Sequence, residues 1–158
     1  MSRLLARWRR LESKPLGAWL FSRRLAAMVP YSGTIVPRVV RLEEGLARVR
    51  MHDRRAIRNH LDSVHAAALM NLGELASGLA LLSALPDERR AILVRFRTEF
   101  TKKGRGTLEA EGTIPADVDL GRADEVEVVA VVRDGAGDEV ARVRADWKLG
   151  GPAPPSES

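Results

Sequence analysis

One carboxylate stands alone in this chain. Between His65 and Pro86 the sequence carries a single charged side chain, Glu74, in an otherwise almost wholly apolar run. An ionised carboxylate in such a setting is costly unless it is paired or hydrogen-bonded. Burial raises its pKa, and a carboxylate tuned upward can act as a general base. Groups held at such a cost concentrate at functional sites. The structural alternative is that Glu74 faces a water-filled groove or pairs with a loop arginine.

Upstream of Glu74 lie Asn59-His60 and then His65. Ser63 reads as a helix N-cap, which puts His65 on the first turn of the apolar helix. The start of a helix presents free backbone N–H groups and a positive dipole end. Such a site can hold a carbonyl oxygen as negative charge develops on it. His65 also reads simply as a group that caps or orients the loop. Three scattered histidines lack metal-ligand spacing, so no metal is expected. Neither a serine nucleophile elbow nor a phosphate-binding loop is present.

The rest of the composition bounds these readings. A chain of 158 residues is the size of one ordinary domain. With no cysteine, disulfides, thiolate metal sites and a cysteine nucleophile are excluded. A reducing cytoplasm fits that usage and is the expected location, although a cysteine-free secreted protein would look the same. The net charge of +5 is spread along the chain without a run of like charges, and aromatics are only 4%. Nucleic acid is therefore not the expected partner, whereas a phosphorylated coenzyme suits the charge. From Val64 to Leu85 the chain is long enough to span a membrane. His65, Asn71 and Glu74 argue instead for a helix buried in a soluble domain, and no membrane association is expected.

Positioning these residues requires an α+β domain. Residues 3–12 and 16–28 read as two short helices, broken at Lys14-Pro15, with Pro30 ending the second. They form an N-terminal extension over 1–30, read as a helical cover rather than a membrane surface. From Val36 the period changes to two. Leu46 to Met51 alternates, and after the long helix over 63–85 so do 91–100, 107–114, 125–133 and 139–149. In 91–100, Ile92, Val94, Phe96, Thr98 and Phe100 oppose Arg95, Arg97 and Glu99. Asp134 to Asp138 reads as a hairpin turn. The tail, 150–158, reads as disordered. The sheet must cover one apolar face with the only long apolar helix. A helix apolar all round needs cover on its other side too, and a second subunit is the simplest source.

The run NHLDSVHAAALMNLGELASGLA resembles the central helix motif of hotdog-fold thioesterases of the phenylacetyl-CoA thioesterase type. That pattern has an Asn, a His-Gly-Gly six residues later, and an acid nine beyond the His. Asn59, His65 and Glu74 stand at those spacings. The resemblance covers roughly 31–149 and is greatest to a function-unassigned branch. It implies a hotdog fold, a homodimer, and an acyl-CoA or related acyl-thioester hydrolase. No cofactor is implied beyond the coenzyme A of the substrate. Glu74 would act as base or nucleophile, and the backbone N–H groups of Ala66 and Ala67 would form the oxyanion hole. Asn59 would position thioester or water. Acid and oxyanion donors would come from different subunits. Lys102, Lys103 and Arg105, and with them Arg58, would contact coenzyme phosphates. His-Gly-Gly is here His-Ala-Ala, and the acid is Glu where Asp is commoner. Those departures leave a non-catalytic acyl-thioester binding module as the alternative.

Overall fold

Period-two alternation produces six strands in the computed structural model, which describes residues 2–151. They are β1 (Arg38–Glu43), β2 (Leu46–His52), β3 (Arg90–Phe100), β4 (Thr107–Thr113), β5 (Glu125–Arg133) and β6 (Glu139–Gly150). All pair antiparallel in one sheet, in the order β1-β2-β4-β5-β6-β3. Gly150 still belongs to β6, and the rest of the expected tail from 152 lies outside the described residues.

One face of the sheet is the core. Ala47, Val49 and Met51 of β2, Leu108 and Ala110 of β4, and Val128, Ala130 and Val132 of β5 are all fully buried. The opposite face carries charges in register. Arg50 pairs with Glu109 at 2.9 Å, and Arg97 and Arg144 both reach Glu127, at 2.7 and 3.3 Å. Half-exposed pairs of this kind contribute little each. Their effect is to keep that face solvated, as the alternation predicts.

β3 differs from expectation. A bulge between Leu93 and Arg95 shifts the pairing, so Leu93 lies opposite Trp147 on the core side and Ile92 opposite Lys148 on the outer side. Ile92 and Val94 are therefore exposed, at 63% and 54%. β3 is also an edge strand, paired only with β6.

The long helix, α4, runs Ala66–Ala84, shorter than the expected 63–85. Ser63 is not its cap. Asp62 is left-handed (φ 52°), Val64 bridges Arg58, and His65 takes the capping position, so the chain stays extended until 65. Small residues let α4 sit directly on the sheet. A Cβ at Gly112 would stand 2.5 Å from the Ala76 carbonyl oxygen, and one at Gly73 would stand 2.3 Å from the Val143 side chain. α4 is also long and apolar enough to cross a membrane, but 72% of that stretch is buried inside the fold.

The far side of α4 is covered in part by the chain itself, so a second subunit is not its only cover. α1 (Arg3–Glu12) and α2 (Gly17–Met28) pack together, and Leu5, Trp8 and Phe21 enter the common core. Trp8 meets Phe21 edge-on at 5.1 Å. α2 stops at Met28, just ahead of Pro30 as expected, and Pro30 also opens a short helix, α3 (Pro30–Gly33), at its N1 position. α1 and α3 both touch α4.

Candidate active site

α4 presents Ala67, Met70, Asn71 and Glu74 along one face, as spacings of three and four require. Facing them are Met28 to Ser32, where α2 turns into α3, and Phe96 of β3. Together they enclose a groove of about 600 Å³ whose lining is mostly apolar. Glu74 is partly buried in it, and among the described residues no cation or hydrogen-bond donor meets its carboxylate. No loop arginine of the same chain pairs with it among the described residues. Burial alone pushes the Glu74 carboxyl above the ordinary carboxylate range.

Asn71 is a site residue that the sequence reading missed. It is 6% exposed, its Nδ2 donates to the Tyr31 carbonyl at a long 3.5 Å, and its Oδ1 is buried without a partner among the described residues. Buried polar atoms are nearly always hydrogen-bonded, so an orphan one turn from Glu74 stands out. Its signal was in the sequence: a second polar residue, one turn before the acid, in an apolar helix.

The other expected groups lie around the start of α4. His65 caps the helix, its Nδ1 accepting from the Ala67 N–H at 3.0 Å. One of the two oxyanion donors is thus occupied. The Ala66 N–H has no acceptor among the described residues. Asn59 holds the loop, its Oδ1 accepting from the N–H of Leu61 and from both the N–H and the hydroxyl of Ser63. Asn59 and Ala66 line a second groove with Phe100, Lys102 and Lys103. Within one chain, then, Glu74 and Ala67 share one groove while Asn59 and Ala66 share another.

The cations proposed for a coenzyme are mostly engaged. Lys102 Nζ lies 2.7 Å from Asp134 and 2.8 Å from Asp138, which raises its pKa and lowers that of Asp134. Arg58 pairs with Asp53 and Asp62 at 2.7 and 2.8 Å. Its guanidinium holds the Asp53 carboxyl below the ordinary range. Arg105 donates to the Asp62 carbonyl at 3.0 Å. Lys103 alone of the four has no partner among the described residues.

A family described as a domain of unknown function, DUF4442, matches residues 17–149. No curated protein matches the chain. Among solved structures, a genomics target, APC5556, is similar at 26% identity and a TM-score of 0.80, over 95% of this chain and 99% of its own. PA5026 of Pseudomonas aeruginosa, a protein of unknown function and probable thioesterase, is 25% identical with a TM-score of 0.66, over 82% and 91%. The smu.793 protein of Streptococcus mutans, solved bound to acetyl CoA, is 22% identical with a TM-score of 0.63, over 73% and 90%. The fold is the hotdog fold, a long central helix wrapped by an antiparallel sheet.

Proposed function

Since this chain belongs to the DUF4442 family and has the hotdog fold, we propose that it is an acyl-CoA thioesterase with Glu74 as its general base. The observation that carries this reading is a partly buried carboxylate, raised by burial and unpaired, in an apolar groove. The thioesterase description and the acetyl CoA of two similar proteins support the substrate class.

In the reaction, a water gives one proton to Glu74 and its oxygen adds to the thioester carbonyl carbon. Asn71 lines the same groove, and a turn of its amide brings the buried Oδ1 to the water, where it accepts the other proton in a hydrogen bond and orients a lone pair toward the carbonyl. The Ala66 N–H holds the oxygen that becomes negative. The C–S bond then breaks, the proton on Glu74 passes to the leaving thiolate, and acid and thiol depart. Replacing Asn71 by Leu should lower kcat about tenfold or more, since lost orientation is expensive. KM should hardly move and the melting temperature should shift little, because Leu removes an unpartnered Oδ1 and only the long bond from Nδ2 to the Tyr31 carbonyl. An Asn71→Leu enzyme with unaltered kcat would remove Asn71 from the mechanism.

The complete site is assembled from two copies. Asn59 and Ala66 do not share a groove with Glu74 in one chain, and β3 offers an unpaired edge with exposed Ile92, Val94 and Phe100. Such an edge is a ready template for pairing. The test mixes Glu74→Gln with Asn59→Ala, which frees the loop that sets the Ala66 N–H and is expected to be inactive for that reason, under conditions that exchange subunits. Shared sites restore part of the acyl-CoA hydrolysis, because one site of each mixed dimer is intact. No restoration, or a monomer by light scattering, would refute the shared site.

One observation favours a non-catalytic acyl-thioester binding module instead: the Ala67 N–H is already taken by His65. Acyl-CoA binding with no turnover at any chain length would establish that reading.

A further inference from the structure

The groove between α1 and α2 belongs to neither the acid nor the helix start. Its floor is apolar, built from Leu4, Leu11, Phe21, Leu25 and Met28. Its rim is cationic: Arg7, Arg10 and Lys14 along α1 and the turn after it, and Arg24 from α2. Among the described residues, none of these four side chains has an acidic partner or a hydrogen bond. That contrasts with the sheet face, where arginines stand in register with carboxylates. The volume, about 400 Å³, lies within the ordinary range of small-molecule sites.

We infer that this groove binds a single-chain lipid whose head carries a phosphate, the acyl chain lying on the apolar floor and the phosphate meeting Arg7, Arg10, Lys14 and Arg24. Unpaired positive charge around an apolar trough matches an anionic amphiphile in both parts. A neutral lipid would leave the cations unanswered, and a free phosphate would leave the floor open to water. Four cations suit a phosphate, which carries close to two charges and offers arginine several acceptor oxygens. Phe21 lies on the floor and touches Trp8 in the core, so an occupant sits directly over the folded domain and not on a loose appendage. This site is independent of the thioesterase reading, because its side chains, Met28 apart, take no part in the Glu74 groove.

Calorimetry of the full chain with 1-acyl lysophosphatidate, below its micellar concentration and at physiological salt, tests the inference. Saturable one-to-one binding is expected, weakened about tenfold or more with the monoacylglycerol of the same chain length. A triple variant, Arg7→Gln, Arg10→Gln and Arg24→Gln, should lose binding to the same degree at an unchanged melting temperature. The charge-reversed triple, with Glu at those positions, should lose it further. Equal affinity for the monoacylglycerol, or full retention of binding in the Gln triple, would overturn the inference. So would displacement of the lipid by coenzyme A, since the cations would then serve the carrier. Binding of the chain only to phosphatidylglycerol vesicles, and not to the monomeric lipid, would replace the groove with a membrane surface.

Discussion

Glu74→Gln should lower kcat for acyl-CoA hydrolysis by about 10²–10⁴-fold, the usual contribution of a general base. Substrate affinity should change little, because the amide keeps the shape and one acceptor oxygen. The same variant makes a second claim, about stability. Burial raises the Glu74 carboxyl and nothing among the described residues pairs with it, so the folded protein holds that proton more tightly than the unfolded chain does. The stability this lends is fully present below the ordinary carboxylate pKa and is lost as pH rises through the raised value. At neutral pH the ionised group is a burden, and Gln relieves it. Glu74→Gln should therefore melt at or above the wild-type temperature at pH 7, with the difference shrinking in acid. In the wild type, kcat/KM should fall as pH drops through the raised carboxyl pKa. An active Glu74→Gln protein would end the catalytic proposal, and a destabilised one would mean a structural partner for the acid.

The second large effect is expected at Gly112, far from the reacting atoms. Gly112→Ala adds a Cβ 2.5 Å from the Ala76 carbonyl oxygen and 2.9 Å from the Ser77 nitrogen. Both are backbone atoms of α4 and have no rotamer to escape into. Overpacking of this kind costs about 1–3 kcal/mol and sometimes more. α4 must lift off β4, and the lift carries Glu74 and Asn71 with it. Chemical denaturation should show the loss of stability, and kcat should fall beyond what the folded fraction explains. Gly135→Ala, in the hairpin turn with nothing within 4 Å of the new Cβ, is the matched control and should be nearly silent. A Gly112→Ala protein as stable as the Gly135→Ala control would show that α4 is not seated as described.

Local pattern by itself determined the sheet, the helix and the acid. Residues 46–51, 107–114, 125–133 and 139–149 alternate cleanly because each strand has one wet and one buried face, and a period of two leaves no ambiguity about which is which. Glu74 was legible for the same reason: a single charge in an apolar helix is visible without coordinates. β3 was misread, because a bulge changes the face of every residue on one side of it and depends on what the partner strand β6 offers. The helix start was misread because Ser63 and His65 are both able to cap, and the choice fell to contacts from far along the chain. Val64 donates to the Gly104 carbonyl, and His65 donates to the Ile57 carbonyl. The engagement of Lys102 and Arg105 likewise arises between loops distant in sequence, whereas Arg58 is held within its own loop by Asp53 and Asp62. Gly112 has no unusual local pattern, and Asn71 shows in the sequence only as a second polar residue in an apolar helix. Their meaning, an orphaned buried oxygen beside the acid and a gap that admits a helix backbone, exists only where tertiary packing brings other atoms against them.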